Sequence, residues 1–200
     1  ISKSLFYAKS TDEADKIYAR VEKYEGISDR MEVEIAKYLT KAAEGRLSNV
    51  SKKNVHALLR VVSEIESIGD ANFNLAKTII RKRNDGKEYS DEMTQRVENM
   101  FAKVEEALAE MMKVLTENMT DMTTGSISES LRIEKEINAL RNEYRMLNAT
   151  EVKEQKYPYE VSVTYMDLVS ACEKIGDYIL NVVEQYQETR NKHKVEEVEA

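Results

Sequence analysis

Residues 66–74 read E-S-I-G-D-A-N-F-N, and residues 173–181 read E-K-I-G-D-Y-I-L-N. Both stretches follow the pattern E-x-I-G-D-x-x-x-N and lie 107 positions apart. A second motif, two polar residues four positions apart, precedes each stretch, and its two copies are 109 positions apart. Its members are Glu25 and Asp29 in the first half and Glu134 and Asn138 in the second. Because two motifs recur at nearly one offset, the sequence indicates a tandem duplication.

The composition favours helices along the whole chain. One Pro and six Gly in 200 residues leave little material for the turns of a sheet-rich fold. Glu, Lys, Ala, Leu and Met are abundant, and they lose little rotamer freedom in a helix. Serine capping signals at Ser10, at Ser48 or Ser51, at Ser90 and at Ser126 mark four helix starts, and Pro158 suits the first turn of a fifth helix. The expected helix ends lie near residues 44, 83, 120, 148 and 188.

Charge and cysteine content exclude several classes of protein. A formal net charge of −7 argues against a nucleic-acid partner, which would need a basic surface to neutralise phosphates. Cys172 is the only cysteine, so the chain has no internal disulfide, and its apolar surroundings predict a core position. No apolar run approaches the roughly 20 residues that span a bilayer. His56 and His193 do not correspond between the halves, and we interpret both as incidental.

The acids of the repeated motifs are predicted to lie on apolar helix ridges. Residues four apart lie nearly one above another on a helix, so Glu66 continues the ridge of Val62 and Leu58. Glu173 likewise continues the ridge of Val169 and Tyr165, and Val21 and Val33 flank Glu25 and Asp29. The ridge of Glu134 and Asn138 differs, because its flanking residues Ser130 and Asn142 are polar. Gly69 and Gly176 each precede an Asp, and they would let a neighbouring helix or a ligand approach closely.

Acids on a core-facing ridge have two main explanations. An ionised carboxylate there is costly unless it is paired, protonated or bound to a metal. Ion pairs with Lys or Arg are one interpretation, but no basic residue recurs at an equivalent ridge position in the two halves. The other is a metal site for hard, oxygen-liking cations such as Mg²⁺, Mn²⁺ or Fe, since the chain has no Cys/His set for zinc.

The doubled E-x-I-G-D-x-x-x-N helices, each preceded by an E-x3-D-type pair, resemble the PhoU family over essentially the whole chain. The resemblance implies an all-α fold of two tandem three-helix bundles, at residues 1–86 and 87–200, and a role in the control of phosphate uptake. It also implies metal clusters held by the paired acids. The implied ligands are Glu25, Asp29, Glu66 and Asp70 in the first bundle and Glu134, Glu173 and Asp177 in the second, with Asn74, Asn138 and Asn181 as supporting groups.

The chain departs from that family pattern at two places. Asn138 stands where the second acid is expected, which puts the second metal site in doubt, because an amide is a poorer ligand for a hard cation. The first half also has 24 residues before Glu25, whereas 44 separate Ser90 from Glu134. We therefore expect the first bundle to lack most of its opening helix, as in a chain cut from something longer.

The stretch E-I-N-A-L-R at residues 136–141 is similar to the E-I-N-x-L-R stretch of PhoU-like domains attached to Na⁺/phosphate symporters. The resemblance thus implies a metal-binding regulatory domain on the cytoplasmic face of the inner membrane. Its partner would be the transmembrane part of a phosphate transporter upstream on the same chain. The alternative is a stand-alone PhoU-type adaptor that restrains phosphate uptake by binding a phosphate-signalling protein. The sequence leaves open whether the protein also forms a homodimer.

An enzymatic role would require a different set of motifs. Di-iron carboxylate enzymes in helical bundles use Glu-x-x-His pairs, and none occurs in this chain. Nor is there a nucleophile elbow, a P-loop or a Rossmann glycine pattern. The sequence therefore predicts no catalytic residue.

Overall fold

The computed structural model describes residues 2–45, 48–86, 88–117 and 125–199, with the backbone alone at 49, 117, 125–126 and 189–199. Six helices and no strand are found in these ranges, which confirms the all-α prediction. The helices are α1 (Ser2–Phe6), α2 (Thr11–Ala43), α3 (Asn49–Asn84), α4 (Asp91–Glu117), α5 (Gly125–Lys153) and α6 (Tyr159–Glu199). Within the described residues, no helix is long and apolar enough to cross a membrane.

Serine caps start three of the helices, as the sequence predicts. The Ser10 hydroxyl accepts a hydrogen bond from the Glu13 N–H at 3.2 Å. Ser48 caps α3 by accepting from the Ser51 N–H at 3.0 Å, which decides between the two candidate serines. Ser90 caps α4 in the same way, through the N–H three residues later. Each cap satisfies a backbone donor that has no partner inside the helix.

Three predicted boundaries were wrong. α5 begins at Gly125, one residue before its predicted cap, and continues to Lys153 instead of ending near Asn148. α6 continues to Glu199 instead of ending near Glu188. Both extensions lack Gly and Pro and contain Glu and Lys, so nothing in the local chain stops the helix. The predicted end of α4 near residue 120 lies outside the described residues.

The halves pack together through their site-bearing helices. α2 packs on α3 in the first half, and α4, α5 and α6 pack on one another in the second. The most extensive helix–helix interface joins α3 to α6 and is crossed by an ion pair between Arg81 and Asp167. The buried apolar residues form one continuous core across both halves. The carboxylate motifs on α3 and α6 therefore lie within one packed unit.

The two halves differ in how well their motif-bearing helices, α3 and α6, are covered by other helices. Leu58 and Ile65 of α3 are 38% and 42% exposed, whereas their counterparts Tyr165 and Cys172 on α6 are 0% and 1% exposed. α4 packs against both α5 and α6, but α1 supplies only five residues to the first half. The first-half ridge was predicted to face the core; it lies instead at the core's edge, since no long helix covers it.

Candidate metal centre

In the first half, α2 and α3 lie close together at a glycine. A Cβ atom added to Gly69 would lie 3.3 Å from the Ser28 hydroxyl oxygen, tighter than an ordinary contact. The next residues along the two helices are Asp29 and Asp70. The absence of a side chain at Gly69 thus lets the two acid-bearing ridges approach each other, as the sequence predicts.

Five carboxylates gather on this pair of helices. Burial raises the pKa of Glu66, and the negative charges around it raise that pKa further. Those charges belong, in decreasing order of effect, to Glu32, Asp29, Asp70 and Glu25. The structure therefore brings all four predicted first-half ligands into one electrostatic neighbourhood. It adds Glu32, three residues beyond Asp29 on α2, which the sequence reasoning missed.

No counter-ion from the chain neutralises this first-half cluster. Within the part of the chain that the structure describes, none of its five acids forms an ion pair with Lys, Arg or His. Asp70 instead accepts from the Asn74 amide, 3.3 Å from each carboxylate oxygen, which places Asn74 beside the cluster. The ion-pair interpretation is therefore not realised in the first half.

The donor chemistry of the first-half cluster fits a hard cation. All five side chains offer carboxylate oxygens, the ligands that Mg²⁺ and similar ions prefer. Glu25 and Glu66 are half-buried, while Asp29 and Asp70 are exposed and have room to rotate. Among the described residues, no three Asp, Glu, His or Cys side chains already converge closely enough to hold a metal ion. Coordination would therefore require side-chain rotation within the cluster.

The second half repeats the backbone arrangement with different side chains. A Cβ atom on Gly176 would lie only 2.9 Å from Ile137 Cδ1, so α5 and α6 also lie close together at a glycine. Asn138 and Asp177 follow these two residues, just as Asp29 and Asp70 follow Ser28 and Gly69. Both glycine predictions are thereby confirmed, and the two motif pairs occupy matching places in the two halves.

Two of the three second-half acids have hydrogen-bond partners within the chain. Arg141 Nη2 donates to Glu173 Oε1 at 2.6 Å, and the Asn138 amide donates to Glu134 Oε1. Burial raises the pKa of Asp177, as do the charges of Glu173 and Glu134, while Arg141 acts in the opposite direction. The two halves therefore share residue types at several motif positions but differ in the charges and hydrogen bonds around them.

The remaining sequence predictions concern Asn181, Cys172 and the two histidines. Asn181 was predicted to support the second cluster, but its amide donates to Glu64 on α3 at 3.1 Å and so links the two halves. Cys172 is buried in the core, as predicted. His56 is exposed, and the side chain of His193 lies outside the described residues.

The two residues that sequence reasoning missed occupy equivalent positions. Glu32 and Arg141 are 109 positions apart, the offset of the E-x3-D-type motif itself. Each lies three residues after the second member of that motif, on the same face of its helix. Extending the alignment of the halves by one helical turn would have shown that an acid in the first half corresponds to a base in the second.

Comparison with known protein families identifies the second half. Residues 91–186 match the family model of the PhoU domain, a stretch that covers α4, α5 and most of α6. No curated protein matches the chain. The matched stretch contains both acidic motifs of the second half and the three-helix bundle that carries them. Residues 91–186 are therefore similar to the PhoU domain.

Proposed function

We propose that this protein is a non-catalytic regulator of phosphate transport that binds metal through the carboxylates of its first half. The PhoU domain at residues 91–186 carries the regulatory part of this proposal. Such a regulator acts by binding another protein, so its output is the activity of a transport or signalling partner. A stand-alone adaptor agrees best with that domain assignment.

The metal-binding part of the proposal rests on the first-half cluster. Glu25, Asp29, Glu66 and Asp70 are the proposed ligands, and Glu32, whose negative charge also raises the pKa of Glu66, is a candidate fifth carboxylate. Like charges in a partly buried place repel one another, and among the described residues none of these acids forms an ion pair that would offset the repulsion. A divalent cation or iron would supply the missing positive charge. The acids would orient on it, and the neighbouring Asn74 would hold Asp70 through its amide.

A second candidate is a regulatory domain joined to a Na⁺/phosphate symporter. The E-I-N-A-L-R stretch at residues 136–141 favours it, because the sequence resembles that branch of the family there. The two candidates differ in the partner: a transmembrane segment on the same chain, or a separate phosphate-signalling protein. Reading the complete gene decides between them, since membrane-spanning segments upstream of residue 1 are required only by the symporter version.

Metal binding is tested by dialysing the protein against Mn²⁺ and counting bound ions by mass spectrometry, with EPR to detect the bound state. We expect the double variant Glu66→Gln/Asp70→Asn to lose at least about tenfold in affinity, since it removes two charged ligands. Glu34→Gln on α2 is the matched control, because Glu34 is exposed and does not contribute to the Glu66 environment. Equal binding by all three proteins would overturn the assignment of the site.

The regulatory role is tested by phosphate uptake in the source organism. Deleting the gene should change the uptake of radiolabelled phosphate, and the wild-type gene should restore it. The Glu66→Gln/Asp70→Asn gene should restore it less well if metal binding serves regulation. Unchanged uptake after deletion, in both phosphate-rich and phosphate-poor medium, would exclude the proposed role while leaving the metal measurement valid.

A further inference from the structure

We propose that the Arg141 guanidinium takes the place of a metal ion in the second half, so that only the first half binds metal. The inference rests on the proposed metal site of the first half. It departs from what the family resemblance implies, namely that Glu134, Glu173 and Asp177 would hold a metal cluster of their own.

The first step is the charge of the two clusters. Aligning the halves at the motif offset pairs Asp29 with Asn138 and Glu32 with Arg141. With all acids ionised, the first cluster carries five negative charges. The second carries three negative charges and one positive charge, a net charge of −2. A cation is therefore needed much less in the second half, because the chain already contains one.

The second step is the position of that guanidinium. Arg141 Nη2 is 2.6 Å from Glu173 Oε1, and the two side chains are only 27% and 16% exposed. A charge-assisted hydrogen bond of this length, partly shielded from water, is stronger than a surface ion pair. A metal ion bound by Glu173 would compete with Arg141 for this carboxylate and would lie beside a positive charge.

The third step is the amide at position 138. The Asn138 Nδ2 group donates to Glu134, so this carboxylate also has a hydrogen-bond donor from the chain. Asn138 Oδ1 and Arg141 Nε are buried without a partner. Asn138 and Arg141 are three residues apart on α5 and so lie on one face. The chain thus supplies a donor to Glu134 as well as one to Glu173.

The consequence is that the two copies of one motif respond differently to metal. The second half keeps a fixed internal cation at all metal concentrations. The first half changes its charge when metal binds or leaves. Only one of the two related clusters then responds to the supply of metal.

Reciprocal exchanges in the full chain test this asymmetry. Asn138→Asp/Arg141→Glu gives the second half the first-half pattern, and Glu32→Arg gives the first half the second-half pattern. In Mn²⁺ dialysis with EPR, Asn138→Asp/Arg141→Glu should gain a class of bound Mn²⁺ that survives the addition of Glu66→Gln/Asp70→Asn. Glu32→Arg should weaken wild-type binding at least about tenfold.

A metal-free measurement keeps this inference separate from the proposed function. In EDTA, Arg141→Gln should lower the thermal midpoint by about 2–4 °C, the shift typical of losing one such interaction in a domain of this size. Glu173→Gln added to Arg141→Gln should recover part of that loss. Arg145→Gln, at an exposed position one turn further along α5, is the control and should leave the midpoint unchanged.

The possible results have distinct meanings. Wild-type protein that binds no Mn²⁺, together with the expected coupling of Arg141 and Glu173, refutes the proposed function but supports the internal cation. Mn²⁺ that stays bound near Asp177 after Glu66→Gln/Asp70→Asn, located by anomalous scattering, overturns the inference. An Arg141→Gln midpoint equal to that of Arg145→Gln overturns it as well.

Discussion

Replacing Gly176 by Ala tests whether the close approach of α5 and α6 is tight. The new Cβ would lie 2.9 Å from Ile137 Cδ1 and 3.4 Å from its Cγ2, whereas carbon atoms prefer about 3.5–4.0 Å. Ile137 is fully buried and has little room to move aside. Overpacking of this kind costs about 1–3 kcal/mol. Ala gains about 0.8–1.0 kcal/mol over Gly in a helix interior, so we expect a net loss of roughly 1 kcal/mol.

Two other glycines provide matched controls within helices. At Gly26 the nearest atom to a new Cβ is Arg30 Nη1 at 3.7 Å, an ordinary contact, so Gly26→Ala should stabilise the protein by about 0.5–1 kcal/mol. At Gly69 the neighbour is the Ser28 hydroxyl at 3.3 Å, and this small side chain can rotate. Gly69→Ala should therefore fall between the other two.

Urea unfolding followed by circular dichroism at 222 nm gives the three free energies of unfolding. The expected order of stability is Gly26→Ala above Gly69→Ala above Gly176→Ala, at unchanged m-values. A Gly176→Ala protein as stable as Gly26→Ala would refute the argument. It would mean that α5 and α6 can accommodate an extra methyl group where the acidic motifs of the second half meet.

Three further predictions concern buried titratable groups. Glu66→Gln should stabilise the metal-free protein at neutral pH. The pKa of Glu66 is raised by burial first and by neighbouring acids second, so the wild-type protein loses stability as the pH rises through the raised pKa of Glu66. Melting curves across the acidic range check this, and a pH-independent difference would contradict it. Arg96→Met should cost about 3–5 kcal/mol, because both carboxylate oxygens of Glu151 accept from Arg96 at 2.8 Å where the side chains are only 14% and 13% exposed. Urea titration measures that loss, and a value near 1 kcal/mol, typical of an exposed pair, would count against burial as its cause. Cys172 should react with a thiol reagent only after unfolding, since burial raises its pKa to about 12; rapid labelling of native protein would show that α6 opens locally.

Features set by local chemistry could be predicted from the sequence. Ser10 and Ser48 cap helices because a hydroxyl beside the first free N–H groups needs no tertiary partner. The contacts at Gly69 and Gly176 also followed from the sequence, because a missing side chain beside a repeated acid leaves room for a neighbouring helix. The repeat itself placed the four first-half acids in one neighbourhood before any coordinates were considered.

Features that depend on distant partners could not be predicted in this way. Arg141 reaches Glu173 across 32 positions in sequence and from a different helix, so periodicity along α5 alone does not reveal the pair. The exposure of Asp29 and Asp70 was missed for a related reason. A ridge pattern shows which residues share a face, but a neighbouring helix decides whether that face is buried.

The interface between α3 and α6 connects the first-half cluster to the other half of the molecule. A groove of about 290 Å³ lies there, and Asp70 and Asn74 of α3 line it together with Lys174 and Asp167 of α6. Asp70 thus belongs both to the proposed metal site and to the surface shared by the two halves. A metal that withdrew negative charge from Asp70 would change the field felt by Lys174, whereas the proposed role of Arg141 would leave the charge of the second cluster unchanged. If both proposals hold, this interface has one side of fixed charge and one side whose charge responds to metal.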